Sequence, residues 1–222
     1  MPATTARERP DLVGVVLAAG RGKRLRPLTD VRPKPLMTVG GRTLLDRALD
    51  RVAPHVRRTA VNAHHLAEQI VDALAGRDVH VSVEQPEALG TAGALGRLLP
   101  WIDGAAVLVS NADAFYLGEP VTDLLAGWDG ERPRLLCTRT DTQSAFGDLL
   151  YVGSALLPWW SVERLEPAPS GLYEVSWRDL YAAGRLDLAV TDIEAFDCGT
   201  PADLRRADAA AWAAERAADT SR

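Results

Sequence analysis

The chain has 222 residues, 47% hydrophobic and 25% charged, with a formal net charge of −5. These values suit a globular protein with a sizeable core and exclude a globally basic nucleic-acid-binding surface. No apolar run approaches the roughly 18–20 residues of a membrane span, so neither nucleic acid nor membrane is expected as a partner. Residues 1–10 are polar and lack the apolar centre of a signal peptide, and they are expected to form a disordered leader. Cys137 and Cys198 carry no Cys-x-x-Cys or His clustering. They are expected to be reduced, buried thiols of a cytoplasmic protein.

The elements follow in order. Leu12 to Leu17 is a continuous apolar run, a buried strand that runs into a glycine-rich loop. A short extended piece at Met37 to Gly41 precedes a helix over Arg42 to Val52, whose apolar residues recur at helical spacing. Thr59 to Ala63 reads as a strand, Leu66 to Leu74 as an amphipathic helix, and Val79 to Val83 as an alternating strand. A helix over Thr91 to Leu99 is expected to end before Pro100, and Ala105 to Val109 to form a fully buried strand ending at Ser110-Asn111-Ala112-Asp113. Later come a helix over Pro120 to Trp128, strands over Arg134 to Thr138 and Gly147 to Val152, and a helix-like stretch from Leu156 to Leu165. A helix over Glu174 to Ala183 and strands at Leu186 to Val190 and Ile193 to Phe196 precede a last helix, with Pro201 at its first position and Ala202 to Ala218 as its body. Strands alternating with helices predict an α/β fold, a Rossmann-like, mostly parallel sheet wrapped on both faces. One domain is expected over residues 11–218, with a frayed tail at 219–222.

Chemistry concentrates at the strand ends. After Leu17 come Ala18, Ala19, Gly20 and Gly22, with Arg21, Lys23, Arg24 and Arg26 in the same loop and Lys34 just beyond. Glycine lets backbone N–H groups approach an anion, and basic side chains beside them suit a polyphosphate. A lone G-x-G would be an ordinary turn, but L-A-A-G-x-G, R-L-x-P-L-T and P-K-P-L occur together here. Ligands of open parallel sheets bind outside the carboxyl ends of strands, so Asp113 can share a crevice with this loop. A carboxylate facing a phosphate repels it unless a divalent cation lies between, which makes Asp113 a candidate Mg²⁺ ligand and Asp197 the second. Each aspartate alone would read as a loop acid or helix cap; the pair beside the glycine loop points to metal.

These motifs resemble the sugar-1-phosphate nucleotidyltransferases, from Val13 to about Arg206. Val61-Asn62-Ala63, Leu89-Gly90-Thr91-Ala92-Gly93, Asn111-Ala112-Asp113 and Phe196-Asp197-Cys198-Gly199-Thr200-Pro201 stand where the family has its later motifs. The compact length is most similar to N-acetylmuramate α-1-phosphate uridylyltransferases, with mannose-1-phosphate guanylyltransferases next. The resemblance implies transfer of a nucleotidyl group, from UTP by preference or GTP, to a sugar 1-phosphate, with Mg²⁺ as cofactor. It implies that Arg24 holds the leaving pyrophosphate, Lys34 meets the reacting phosphates, and Asp113 and Asp197 hold the metal. Leu17, Ala18, Ala19, Gly20 and Gly22 would cradle the nucleotide, Gln85 and Gly90 would read its base, Thr91 would also bind the nucleotide, Asn111 would bind the substrate and Gly147 would lie close to the sugar. A monomer or small homo-oligomer is expected. The chain departs from the family in carrying Lys23 before the loop arginine, Ala112 inside the metal motif, and no central E-K-P segment. The last departure leaves two other readings open: a nucleotide-binding regulatory protein without turnover, or a transferase acting on a non-sugar phosphate. Trp159, Trp160 and Trp177 lie in the divergent half and are expected to pack the core.

Overall fold

The computed structural model describes residues 11–220, so the expected leader at 1–10 and the final two residues lie outside the described residues. In chain order it runs β1 (Leu12–Leu17), α1 (Leu28–Val31), β2 (Thr38–Val39), β3 (Arg42–Thr43), α2 (Leu44–Val52) and β4 (Thr59–Ala63). Then follow α3 (Ala67–Ala73), β5 (His80–Val83), α4 (Gly90–Ile102), β6 (Ala106–Asn111), β7 (Ala114–Leu117) and α5 (Pro120–Leu125). The chain closes with β8 (Arg134–Ser144), β9 (Gly147–Leu157), α6 (Arg178–Ala182), β10 (Asp187–Val190), β11 (Glu194–Asp197) and α7 (Pro201–Thr220).

Seven strands form one sheet in the order β10-β8-β9-β6-β1-β4-β5, in which β9 alone runs antiparallel to its neighbours. Alternation along the strands feeds two cores. Val13, Val15, Val107 and Val109 face α4 and the Trp177 segment, whereas Val16, Val61 and Leu108 face α2, α3 and α5. The expected Rossmann-like sheet with both faces covered is therefore present. A smaller two-stranded ribbon, β7 with β11 antiparallel, packs Phe115 and Phe196 against α7. No helix among the described residues is long and apolar enough to cross a membrane.

Local chemistry explains the helix starts. Thr43 Oγ1 accepts from the Asp46 amide at 3.0 Å to cap α2, and Thr200 Oγ1 does the same for the Asp203 amide at the head of α7.

The structure corrects several expectations, among them the helix over Pro120 to Trp128, which ends at Leu125. The helix expected to stop before Pro100 runs on to Ile102. Proline removes one hydrogen bond there, near the helix end, and burial of Leu98 and Ile102 offsets that loss. The helix-like stretch at Leu156 to Leu165 is instead the end of β9, followed by a 3₁₀ turn at Trp159–Ser161. A short apolar run does not tell a central strand from a buried helix, and Ala155, Leu156 and Leu157 are enclosed between β6 and β8. The helix over Glu174 to Ala183 is split into a π-helical turn at Tyr173–Trp177 and α6. Strand β7 has no counterpart in the sequence pattern, because it begins directly after the Asn111-Ala112-Asp113 motif and pairs with the distant β11. Of the three tryptophans, Trp177 is buried in the core, while Trp160 is exposed and lies under Arg185, 5.0 Å from its ring centroid.

Candidate active site

The carboxyl ends of β1 and β6 lie side by side, with Leu17 in register with Asn111. β4 and β6 flank β1 on opposite sides, so this is the point where the order of the parallel strands reverses. The chain leaves β1 through Ala18, whose amide donates to Asn62 Oδ1 at 2.7 Å. Gly22 then turns at φ 58, and a Cβ there would stand 2.9 Å from Thr29 Cγ2 and 3.2 Å from Lys34 Cβ. Thr29, buried, donates its hydroxyl to the Gly22 carbonyl at 3.0 Å and locks the turn. Around Gly20, by contrast, a Cβ would meet nothing within 4 Å, because the open crevice lies there.

Lys34 rises from the 3₁₀ turn Lys34–Leu36 and is buried, yet it is doubly paired. Its Nζ lies 2.8 Å from Asp113 Oδ2 and 3.5 Å from Asp197 Oδ1. Arg24 closes the group from the glycine loop, with Nη2 3.2 Å from Asp197 Oδ2. Pairing of β7 with β11 sets Asp197 opposite Ala114, next to Asp113, and the Cys198 amide donates to the Asp113 carbonyl at 3.1 Å. Two carboxylates distant in sequence thus meet one ammonium. Gly199 makes the Arg24 contact possible, since a Cβ there would sit 2.5 Å from Arg24 Nη2 and 2.9 Å from Asp197 Oδ2.

The crevice has two lobes that share Leu17, Gly20 and Asp113. The lobe of 270 Å³ holds Arg24, Lys34 and Gly22, and the lobe of 210 Å³ holds Ala19, Asn62, Gly90, Thr91 and Asn111. Arg24, Lys34, Asp113, Leu17, Ala18, Ala19, Gly20, Gly22, Gly90, Thr91 and Asn111 are thereby brought together, and Asp197 joins them through its ion pairs. Gln85 is exposed and lines neither lobe. Gly147 opens β9 at the tip of the β8–β9 hairpin and lines neither lobe. It is Gly153, at φ 98, that lets β9 close on the crevice floor, where a Cβ would come within 3.3 Å of Asn111 Cβ.

Glu84 had no signal in the sequence beyond a loop acid after a strand. It is fully buried, accepts from Asn62 Nδ2 and from the Leu89 amide at 2.7 Å each, and so ties the glycine loop to the start of α4. The glycines of α4 answer a second demand. Cβ atoms at Gly90, Gly93 and Gly96 would fall within 2.1–2.4 Å of the carbonyl oxygens of Ser170, Ala168 and Glu166. Thr91 Oγ1 accepts from the Leu172 amide at 2.8 Å, pinning the same segment.

The donor set fits Mg²⁺, which takes one or two carboxylates and completes its shell with phosphate oxygens and water. Asp113 and Asp197 converge on a single cationic point. Among the described residues no group of three or more His, Cys, Asp or Glu could hold a metal by itself, so the rest of such an ion's shell would come from phosphate oxygens and water.

Known proteins resemble this chain in sequence and in fold. The sequence pattern of the MobA-like NTP transferase domain matches residues 14–188. N-acetylmuramate alpha-1-phosphate uridylyltransferase of Caulobacter vibrioides is 35% identical over 146 residues, covering 61% of this chain and 60% of that protein. The protein of the same name from Neisseria meningitidis is 40% identical over 105 residues, covering 45% and 46%. The aligned stretches thus span less than two thirds of these relatives. HddC from Yersinia pseudotuberculosis, solved with GMP-PN, superposes with a TM-score of 0.69 at 20% identity, covering 89% of this chain and 98% of that one. A Bacillus anthracis structure bearing the name of a glucose-1-phosphate thymidylyltransferase superposes with a TM-score of 0.76 at 20% identity, covering 90% and 95%. At that identity the likeness is one of fold.

Proposed function

The chain belongs to the MobA-like NTP transferase family, and from that premise we propose that it joins a nucleoside triphosphate to a sugar 1-phosphate, releasing pyrophosphate. UTP is the favoured donor and GTP the next. The names of the two uridylyltransferases support that order and make N-acetylmuramate α-1-phosphate the first acceptor to try.

The observation that carries the reading is the meeting of Lys34, Asp113 and Asp197 beside the glycine loop. An oxygen of the sugar phosphate attacks the α-phosphorus, a new P–O bond forms, and the bond to the β-phosphate oxygen breaks. The attacking oxygen is already anionic, so no general base is required, and positioning with charge stabilisation does the chemistry. The backbone of Ala18 to Gly22 holds the triphosphate, and Arg24 and Lys34 take up charge on the transferring and leaving phosphates. Asp113 and Asp197 would hold Mg²⁺, which when bound neutralises phosphate charge as a Lewis acid.

The test is pyrophosphate release from UTP, GTP, CTP and dTTP, each paired with a panel of sugar 1-phosphates. Turnover is expected with UTP. Nucleotide binding without release from any pair would favour the regulatory reading, and release only with another class of phosphate would reassign the acceptor.

A further inference from the structure

A second polar cavity of 280 Å³ lies between α2 and β7 and shares no lining residue with the crevice. Three arginines line it, Arg42, Arg47 and Arg51, with Asp50 and Glu119 as its acidic members. Arg51 is only 8% exposed, and among the described residues it makes no ion pair. Its Nη2 donates to Ser110 Oγ and to the Ala114 carbonyl, both at 3.3 Å, while its Nε is buried with no partner. The guanidinium otherwise rests on the face of Tyr116, 4.5 Å from the ring centroid. Arg47 lies over Phe115 at 5.1 Å and donates to the carbonyls of Val39 and Gly40. Asp208 and Glu215 act on Arg47 from a distance, and Arg42 is paired with Asp50. Glu119 on the rim is exposed.

Glu119 acts on the Arg51 guanidinium from beyond ion-pair reach, a buried guanidinium with no carboxylate in contact is costly, and a multivalent oxyanion is the group that matches its planar donors. We propose that this cavity is a second anion site that takes a phosphate group. Its volume falls just below the roughly 300–1,000 Å³ of pockets for drug-sized ligands, which suits a phosphate or diphosphate and not a whole nucleotide. The proposal does not rest on nucleotidyl transfer, because binding is read without turnover.

The experiment is calorimetric titration of the full chain with inorganic phosphate and, separately, with pyrophosphate. Binding is expected to survive Arg24→Ala, which weakens the glycine loop, and to fall at least ten-fold in Arg51→Met. Since Arg51→Met can also disturb packing, Glu119→Gln supplies an independent reading. Loss of that exposed carboxylate is expected to tighten binding several-fold while leaving UTP affinity unchanged. A larger loss of pyrophosphate than of phosphate binding in Arg51→Met would assign the site to diphosphates, and the reverse to free phosphate. Absence of binding, its loss in Arg24→Ala, or indifference to both Arg51→Met and Glu119→Gln would overturn the proposal.

Discussion

An ammonium as enclosed as that of Lys34 is tolerated because two carboxylates face it, and those carboxylates answer to it in turn. Asp113→Asn and Asp197→Asn keep shape and most hydrogen bonding but remove the charge. Each is expected to lower kcat about 10²–10³-fold, and Asp113→Asn, which takes the nearer charge from the buried ammonium, is expected also to lower the melting temperature; near-native rates in a Mg²⁺-containing assay would show that carboxylate to be dispensable. Two glycines separate binding from alignment. Gly20→Ala places a methyl in open space, so stability should hold while the KM for the nucleotide rises. Gly199→Ala pushes the side-chain ends of Arg24 and Asp197, so kcat should fall by about ten-fold, equivalent to about 1.4 kcal/mol, with the fold intact. Paired kinetics and thermal melts check both. The residues that meet at the ammonium were legible because each stands in a short motif, Asp113 and Asp197 at strand ends and Lys34 in the turn that follows the glycine loop. Glu84 was not legible, since its burial and its two donors arise from tertiary packing.

At the scale of elements, α4 and the segment over it behave as one body. The three missing Cβ atoms at Gly90, Gly93 and Gly96 allow a line of carbonyls to lie on the helix. Gly93→Ala would place its methyl 2.1 Å from the Ala168 carbonyl, backbone that cannot swing aside. It is expected to destabilise by about 1–3 kcal/mol, read as a lower midpoint in urea, and to weaken nucleotide binding through the displaced start of α4. In sequence those glycines look like a ligand loop, and part of their reason is packing. Strands β1 and β6 were legible as apolar runs, β5 from its alternation and α2 from helical spacing. The second half was harder, because β9 is enclosed by neighbours on both sides and loses the alternation that marks a strand. The β7–β11 ribbon depends on a partner far along the chain, which local pattern cannot supply.

Across the whole molecule, the two thiols report on the cores. Burial pushes Cys137 and Cys198 each up to about 12, against about 8.5 for a free thiol. The folded state therefore favours the neutral thiol. Its contribution to stability is fully present below about pH 8.5 and is lost as pH rises towards 12. The native protein is expected to resist thiol-specific reagents at neutral pH, to react at both cysteines once unfolded, and to melt at lower temperature as pH climbs above 9. Rapid labelling of the native protein near pH 7 would contradict this.

The junction of β1 and β6 has one more consequence. These strands lie inside the sheet, with β9 and β4 on their outer sides and layers of buried side chains above and below. Local opening starts where few partners hold the chain, so β5 and β10, at the two edges, should exchange their amide hydrogens first. The amides of β1 and β6 should exchange last, close to the rate of global unfolding. The crevice floor is then anchored in the part of the protein that opens last, and a molecule that has lost its margins would still hold Leu17 against Asn111.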